Sequence, residues 1–592
     1  MREQLLRLRE YMKANRIDWT LVYTQDAHAS EYVGDYDKAR AWVSGFTGSA
    51  GTLLVGLDEA WLWTDGRYFL QATQQLSGSG IGLMKDRMPG TPTIHEYLKQ
   101  HAAGQTLALD GRTATINEVR ALEKTGCVLR LTGDPVGAVW TERPARSAAP
   151  VWELPLAYAG EARQSKLARI RQALTGAGAD VLALSSLMDV CWLLNIRGGD
   201  VAHTPVVLSY LLLAQDSCTL FVNEASVPAD VKAALNADGV QLRPYDGFYQ
   251  ALSDLPAGTA VLLNPDVANS AMAAALPDGV RVVEGENPTF LPKACKNSTE
   301  VANFREAHIR DGVAVTRFMY WLKHNVGKEP MDELSVAEKL ESFRREQSDY
   351  IEQSFSPIMG YGPHGAIIHY GATPATNVPL APRSFLLSDT GGHYLQGTTD
   401  ITRTYALGEL TDEERRCYTL VLKSHLRLGG AIFPEGASGM SIDAIARQPL
   451  WQEKMNYNHG TGHGVGYILS VHEGPQNIRW RGAKEVPLQP GMVMSDEPGL
   501  YLEGRFGVRL ENLVVCVEAG ENEFGRFLRF EHLTMVPWDL DAVDVSLLTD
   551  EEIALLNDYH RQVREAVRPR LTDPAEQSWL DHATRVLRTA AT

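Results

Sequence analysis

The chain has 592 residues and carries 56 lysines and arginines against 73 acids, a formal charge of −17, which argues against a general role on nucleic acid or on anionic membrane surfaces. At about 150 residues per domain the length allows three large domains or four smaller ones. Six cysteines lie far apart with no Cys-x-x-Cys pair, the usage of a cytosolic protein with reduced, buried thiols.

The first residues mix both charge signs through their apolar positions, which predicts an amphipathic helix to about Lys13 rather than a signal peptide. Trp19-Thr20-Leu21-Val22-Tyr23 reads as a strand, and alternating strand and helix signals continue to about residue 140, as in an α/β domain. A second helix, from about Gln164 to Leu174, leads into a strand over residues 179–184 much as the first leads into residues 17–22. Asp18 and Asp180 stand 162 positions apart, and Asp189 echoes Asp26. The two segments therefore read as copies of one α/β unit. The longest apolar run, residues 206–222, is broken by Gln215, Asp216 and Ser217, so no segment qualifies as a membrane span.

Pro144, Pro150 and Pro155 mark one linker and Pro292-Lys293-Ala294-Cys295-Lys296-Asn297 a second. The domains expected are 1–150, 151–296 and 297–592. The third opens with a long helix from Ser298, its acids early, where the helix dipole favours them. Thr411-Asp412-Glu413-Glu414 and Thr549-Asp550-Glu551-Glu552 are capping boxes that open further helices. Pro574 suits the first turn of a last helix, and the part beyond about residue 540 reads as a helical extension.

Chemistry concentrates between these helices. Residues 385–389 read as a buried strand ending in Asp389, and residues 397–405 as another carrying Asp400; the link between them contains Gly391-Gly392, which predicts a hairpin-like pair. Asn458-His459-Gly460-Thr461-Gly462-His463-Gly464-Val465-Gly466 sets two histidines among four glycines. Glycine allows a left-handed backbone or a close approach, and the stretch lacks the Lys-Ser/Thr ending of a phosphate loop. Glu497 and Glu511 follow in short β-like runs. Four buried carboxylates would repel one another, and two divalent ions would balance their charge. One histidine among oxygen ligands favours manganese, cobalt or iron over a thiolate-bound structural zinc.

The order Asp389, Asp400, His463, Glu497, Glu511 resembles the dinuclear site of the pita-bread metallopeptidases. The motifs around Ser388-Asp389-Thr390-Gly391-Gly392, residues 397–403, residues 459–466 and Ser495-Asp496-Glu497-Pro498-Gly499 are similar to those of the aminopeptidase P branch. Residues 26–32, 44–51, 64–68 and 195–205 resemble its two creatinase-like N-terminal domains. The resemblance implies α/β N-terminal domains followed by an α+β pita-bread catalytic domain. It also implies two divalent ions, manganese above all, peptide substrates with proline in the second position, a cytoplasmic location and a homodimer, to which the C-terminal extension is linked. Asp389, Asp400, His463, Glu497 and Glu511 would hold the metals. Glu497 would also take a proton from the nucleophile, His459 would bond the intermediate, His369 and His472 would hold the proline side, and Tyr501 and Arg509 would support them. His369 is read as closing a small apolar strand, and His364 departs from the pattern. Two rival readings remain at this point: a prolidase confined to dipeptides, and a non-catalytic pita-bread binding module.

Overall fold

The computed structural model describes residues 1–482 and 485–588. The chain forms two compact units, Met1–Leu156 with Glu161–Phe290, and Ala157–Gly160 with Leu291–Thr592.

In the first unit, helix α1 (Glu3–Ala14) buries Leu5, Leu8 and Met12, one apolar stripe at helical spacing. A sheet follows from β1 (Trp19–Tyr23), β2 (Thr52–Gly56), β3 (Ala60–Thr64), β4 (Gly82–Lys85), β5 (Thr106–Ala108) and β6 (Val128–Arg130). After α2 (Arg163–Gly176), a second sheet is built from β7 (Val181–Leu184), β8 (Ser209–Ala214), β9 (Cys218–Val222), β10 (Val240–Pro244), β11 (Ala260–Leu263) and β12 (Arg281–Glu284). The first sheet is ordered β4-β3-β2-β1-β5-β6 and the second β10-β9-β8-β7-β11-β12. Pairing sense also agrees, antiparallel through the opening meander and parallel at both flanks.

The repeat reaches single hydrogen bonds. Asp18 donates its N–H to the Thr106 carbonyl at 3.1 Å, and its Oδ2 accepts the Thr106 N–H at 2.8 Å. Asp180 does the same with Ala260, at 2.7 and 2.8 Å. The echo ends at the next pair. Asp26 sits in a loop and accepts the N–H groups of His28 and Ser30, whereas Asp189 lies within a helix and accepts from the Asn287 side chain.

A cavity of about 200 Å³ in this unit is lined in part by His28, Tyr36, Asp37, Arg146 and Tyr210. Burial, and then the charge of Asp26, push the Asp37 carboxyl up from 3.8 to about 7 against the pull of Arg143, Arg146 and Arg112. A carboxyl raised on folding gives stability that is complete below its unfolded pKa and lost as pH rises through its folded one, here from 3.8 to about 7. Asp37→Asn is therefore expected to gain roughly 2–4 °C in melting temperature over the parent between about pH 4 and about pH 8. Calorimetry at the two pH values checks this, and an equal offset at both would show that Asp37 folds without that penalty.

The second unit opens with α3 (Ser298–Asn325), capped by Asn297 and Glu300 in a capping box, and α4 (Glu333–Arg345). A three-stranded sheet joins β13 (Ile358–Tyr361), β14 (Phe385–Thr390) and β15 (Ile401–Ala406), with β14 in the centre. The link from β14 to β15 is itself a small hairpin of Gly392–Tyr394 and Gly397–Thr398, longer than the glycine-bearing turn the sequence suggests.

Helices α5 (Asp412–Gly429) and α6 (Gly439–Gln452) flank the first of the last strands and precede the others. Strands β16 (Ile432–Pro434), β17 (Gly462–Gly464), β18 (Glu473–Ile478), β19 (Val493–Asp496), β20 (Gly499–Leu502), β21 (Phe506–Arg509), β22 (Asn512–Asn522) and β23 (Gly525–His532) complete the β-structure. Six of them form a sheet in the order β16-β23-β22-β19-β17-β18, and β20 pairs with β21. Helices α7 (Asp550–Val567) and α8 (Pro574–Ala583) close the unit, and both capping boxes form as expected. Tyr418, Val421 and Leu422 of α5 share one core cluster with Leu556 and Val563 of α7.

Cys191, Cys218, Cys417 and Cys516 are buried thiols, and Cys127 and Cys295 are half-buried. Among the described residues no helix is long and apolar enough to cross a membrane.

Candidate metal centre

The β-structure of the second unit delivers five side chains to one place. Asp389 lies one residue from the end of β14, opposite Thr402 of β15, and Asp400 immediately precedes β15. His463 is the middle residue of β17, Glu497 follows β19, and Glu511 occupies the step from β21 to β22. The glycines flanking His463 serve close approach. A Cβ on Gly462 would stand 2.0 Å from the Ser495 carbonyl oxygen, and one on Gly464 2.2 Å from that of Glu473. Neither adopts a left-handed backbone. Only a chain without side chains fits between β18 and β19 there, and that fit fixes the histidine.

One ligand atom each from Asp400, His463 and Glu511 lies within 4.8 Å of the others. His463 Nε2 stands 3.4 Å from Asp400 Oδ2 and 3.6 Å from Glu497 Oε1. Burial holds Asp400, Glu497 and Glu511 far above the ordinary carboxylate range. The next cause is Asp389 for Asp400, Glu511 for Glu497, and Asp400 for Glu511. Asp389 Oδ1 and Asp400 Oδ1 are buried with no hydrogen-bond partner. Carboxylates crowded and desolvated in this way need cations, and two unsatisfied buried oxygens beside an imidazole fit divalent metal ions.

Neighbours orient the set. Thr402 Oγ1 donates to Glu511 Oε2 at 2.6 Å, Ser495 Oγ donates to Glu497 Oε1 at 3.3 Å, and the His463 N–H donates to Ser495 Oγ at 2.9 Å. Arg509 forks between Asp389 Oδ2 at 2.7 Å and the Tyr501 hydroxyl at 2.8 Å. Burial pushes the Tyr501 phenol up to about 12, so it keeps its proton and meets His459 Nε2 at 2.8 Å. The remaining His459 nitrogen, Nδ1, lies 2.7 Å from the Gly460 carbonyl oxygen. The His472 ring packs edge-on against His463, with centroids 4.4 Å apart.

One expectation changes here. His369 follows a short 3-10 helix (Gly362–Ala366) and lies in a turn, not at the end of a strand. Gly360 explains this: a Cβ there would stand 2.8 Å from the Gly365 N, so the chain folds back tightly instead of extending. The turn still reaches the centre, because Arg509 Nη2 donates to the Ile368 carbonyl at 3.3 Å. His364 is accounted for by a partner on α4: its Nδ1 lies 2.8 Å from Oε1 of the fully buried Glu333, and its ring stacks on Tyr370.

Comparison with known proteins now bears on this geometry. Residues 302–518 match the model of metallopeptidase family M24, and residues 526–587 that of its C-terminal region. Residues 4–133 and 142–300 match models of the creatinase/prolidase N-terminal domain. Aminopeptidase P2 of Arabidopsis thaliana is 38% identical, covering 96% of this chain and 86% of its own. A probable Xaa-Pro aminopeptidase P of Sordaria macrospora is 40% identical over 95% of both. The chain belongs to the aminopeptidase P family. The solved X-prolyl aminopeptidase of Caenorhabditis elegans, described as a cytosolic enzyme with a di-nuclear active site, superposes with a TM-score of 0.95 at 33% identity over 99% of each chain. An Xaa-Pro dipeptidase from Bacillus anthracis, 22% identical with a TM-score of 0.50 over 64% of this chain, shares the fold alone. The expected fold class is thus met: creatinase-like N-terminal domains, then a metallopeptidase catalytic domain.

Sequence reading missed several buried residues that surround the centre. Lys293 and Lys296, taken for linker, are buried, and both meet Glu473 beside His472, at 3.1 and 2.5 Å. A lysine pair in a Pro-containing stretch carries no signal of burial. Thr402 and Ser495 stand within quoted motifs, and only the alternation of side chains along a strand could have aimed them inward.

Proposed function

We propose that this chain is a metal-dependent aminopeptidase that releases the N-terminal residue from peptides with proline in the second position. The observation that carries the reading is the grouping of Asp400, His463 and Glu511, with Glu497 beside His463 and a buried oxygen of each of Asp389 and Asp400 unsatisfied, in a chain of the aminopeptidase P family. Asp389, Asp400, His463, Glu497 and Glu511 would hold two divalent ions, as the di-nuclear active site described for the worm enzyme suggests. When bound, such ions lower the pKa of water and polarise the scissile carbonyl. Manganese suits an oxygen-rich set with one imidazole.

The chain's own groups do the rest. Glu497, steadied by Ser495, accepts the proton of the attacking water. His459 has both ring nitrogens engaged, so its contact with the oxyanion on the substrate carbonyl requires Tyr501 to yield its place at Nε2 and that nitrogen to carry a proton it can donate. His369 and His472 flank the proline side, and the proline nitrogen, which has no N–H in the peptide, must gain a proton as it leaves. The reading keeps the divisions 1–150, 151–296 and 297–592, with the extension from about residue 540. It also includes a cytoplasmic location, supported by the worm enzyme's description, and a homodimer.

The test is hydrolysis by metal-stripped protein, with and without manganese, of Arg-Pro-Pro and Arg-Pro. Manganese-dependent release of arginine from the longer peptide, with the dipeptide cut poorly, is the expected result. A preference for the dipeptide would make the chain a prolidase, and metal binding without cleavage of either would make it a binding module.

A further inference from the structure

The wholly buried Arg403 lies three residues after Asp400. Its guanidinium is held by neutral acceptors from two directions. Nη1 donates to the carbonyls of Thr402 at 2.9 Å and Glu511 at 2.6 Å. Nη2 donates to Asn512 Oδ1 at 2.8 Å, the Val536 carbonyl at 2.8 Å and the Tyr559 hydroxyl at 3.1 Å. The plane rests on Trp538, with the central carbon 3.6 Å from a ring centroid. One side of this hub is therefore the backbone that bears Glu511, and the other is the C-terminal region.

Tyr559 is the contribution of α7. Its ring is buried, and its hydroxyl donates to the Val536 carbonyl at 2.7 Å while accepting from Arg403. That hydroxyl closes the arginine's fork over Asn512, the residue after Glu511. A planar guanidinium with its donors committed in this way has little freedom to tilt, and Glu511 inherits its position through the carbonyl bonded to Nη1.

We infer that Tyr559 is a positioning residue for the metal centre, fixing Glu511 through Arg403 and Asn512, so that helix α7 of the C-terminal extension sets metal affinity. This goes beyond a packing role for the extension, and it rests on the reading of Asp389, Asp400, His463, Glu497 and Glu511 as ligands.

The test is manganese binding by calorimetry on metal-stripped full chain, comparing the parent with Tyr559→Phe and Leu556→Ala. Phenylalanine keeps the ring and removes only the hydroxyl. Leu556 is buried in the same helix and bonds to nothing in the hub, so Leu556→Ala loosens α7 by packing alone. Loss of an oriented partner of a ligand weakens metal binding by about 10–100-fold. The expected result is a Kd about tenfold higher for Tyr559→Phe, the low end of that range because Tyr559 acts through Arg403, with Leu556→Ala melting earlier at an unchanged Kd. An unaltered Kd in Tyr559→Phe overturns the inference, as does an equal weakening in Leu556→Ala. Absence of manganese binding by the parent would overturn the metal reading itself.

Discussion

Asp400→Asn is expected to lower kcat/KM on an Arg-Pro-Pro peptide by about 10³-fold in excess manganese, while the metal-free variant melts no lower than the metal-free parent. The two halves follow from one position. Asp400 offers a buried oxygen with no hydrogen-bond partner and lies 3.4 Å from His463, so losing its charge removes a ligand, and metal activation is worth several kcal/mol of barrier. The same charge is a burden to the empty fold, since burial and the nearby Asp389 and Glu497 carboxylates oppose its ionisation. The amide removes that repulsion. Steady-state kinetics and scanning calorimetry check both halves, and full activity in the variant would remove Asp400 from the metal set.

Arg509→Met is expected to destabilise the metal-free protein by about 3–5 kcal/mol, because it strands a buried carboxylate. Arg509 is 2% exposed and gives Asp389 its charged partner at 2.7 Å. Manganese should recover much of this loss by supplying positive charge to the same group, whereas activity should stay depressed, since Tyr501 and the turn at Ile368 lose their common anchor. Urea unfolding with and without manganese measures the difference. An unchanged midpoint in the metal-free variant would mean that Asp389 does not depend on this guanidinium.

The legible parts of this chain are those where chemistry or periodicity is local. Capping boxes at Thr411 and Thr549 announced α5 and α7 to the residue, because the cap is a bond between positions three apart. The doubled α/β unit was visible in the spacing of Asp18 and Asp180 because each aspartate locks the same strand crossing. The approach of Asp400, His463 and Glu511, with Glu497 beside His463, was legible because so many acids on short strands call for a shared cation. Long-range contacts were not legible. Arg403 meets Tyr559 and Lys296 meets Glu473 over separations of 156 and 177 residues, and nothing in their immediate neighbours names the partner. The turn at His369 was misread as strand because Ile367 and Ile368 favour β-structure, and the deciding constraint is the approach of Gly365 to Gly360.

The narrow seat of β17 also shapes how variation in this chain would be interpreted. Gly462 and Gly464 have main-chain oxygens where a methyl group would go, so alanine at either position would displace a neighbouring strand and, with it, His463. A survey of tolerated substitutions across this stretch would score the two glycines as strictly as the histidine between them, although neither offers an atom to any reaction. Intolerance here maps where backbones touch, and any inheritance of the histidine must carry its two silent neighbours along.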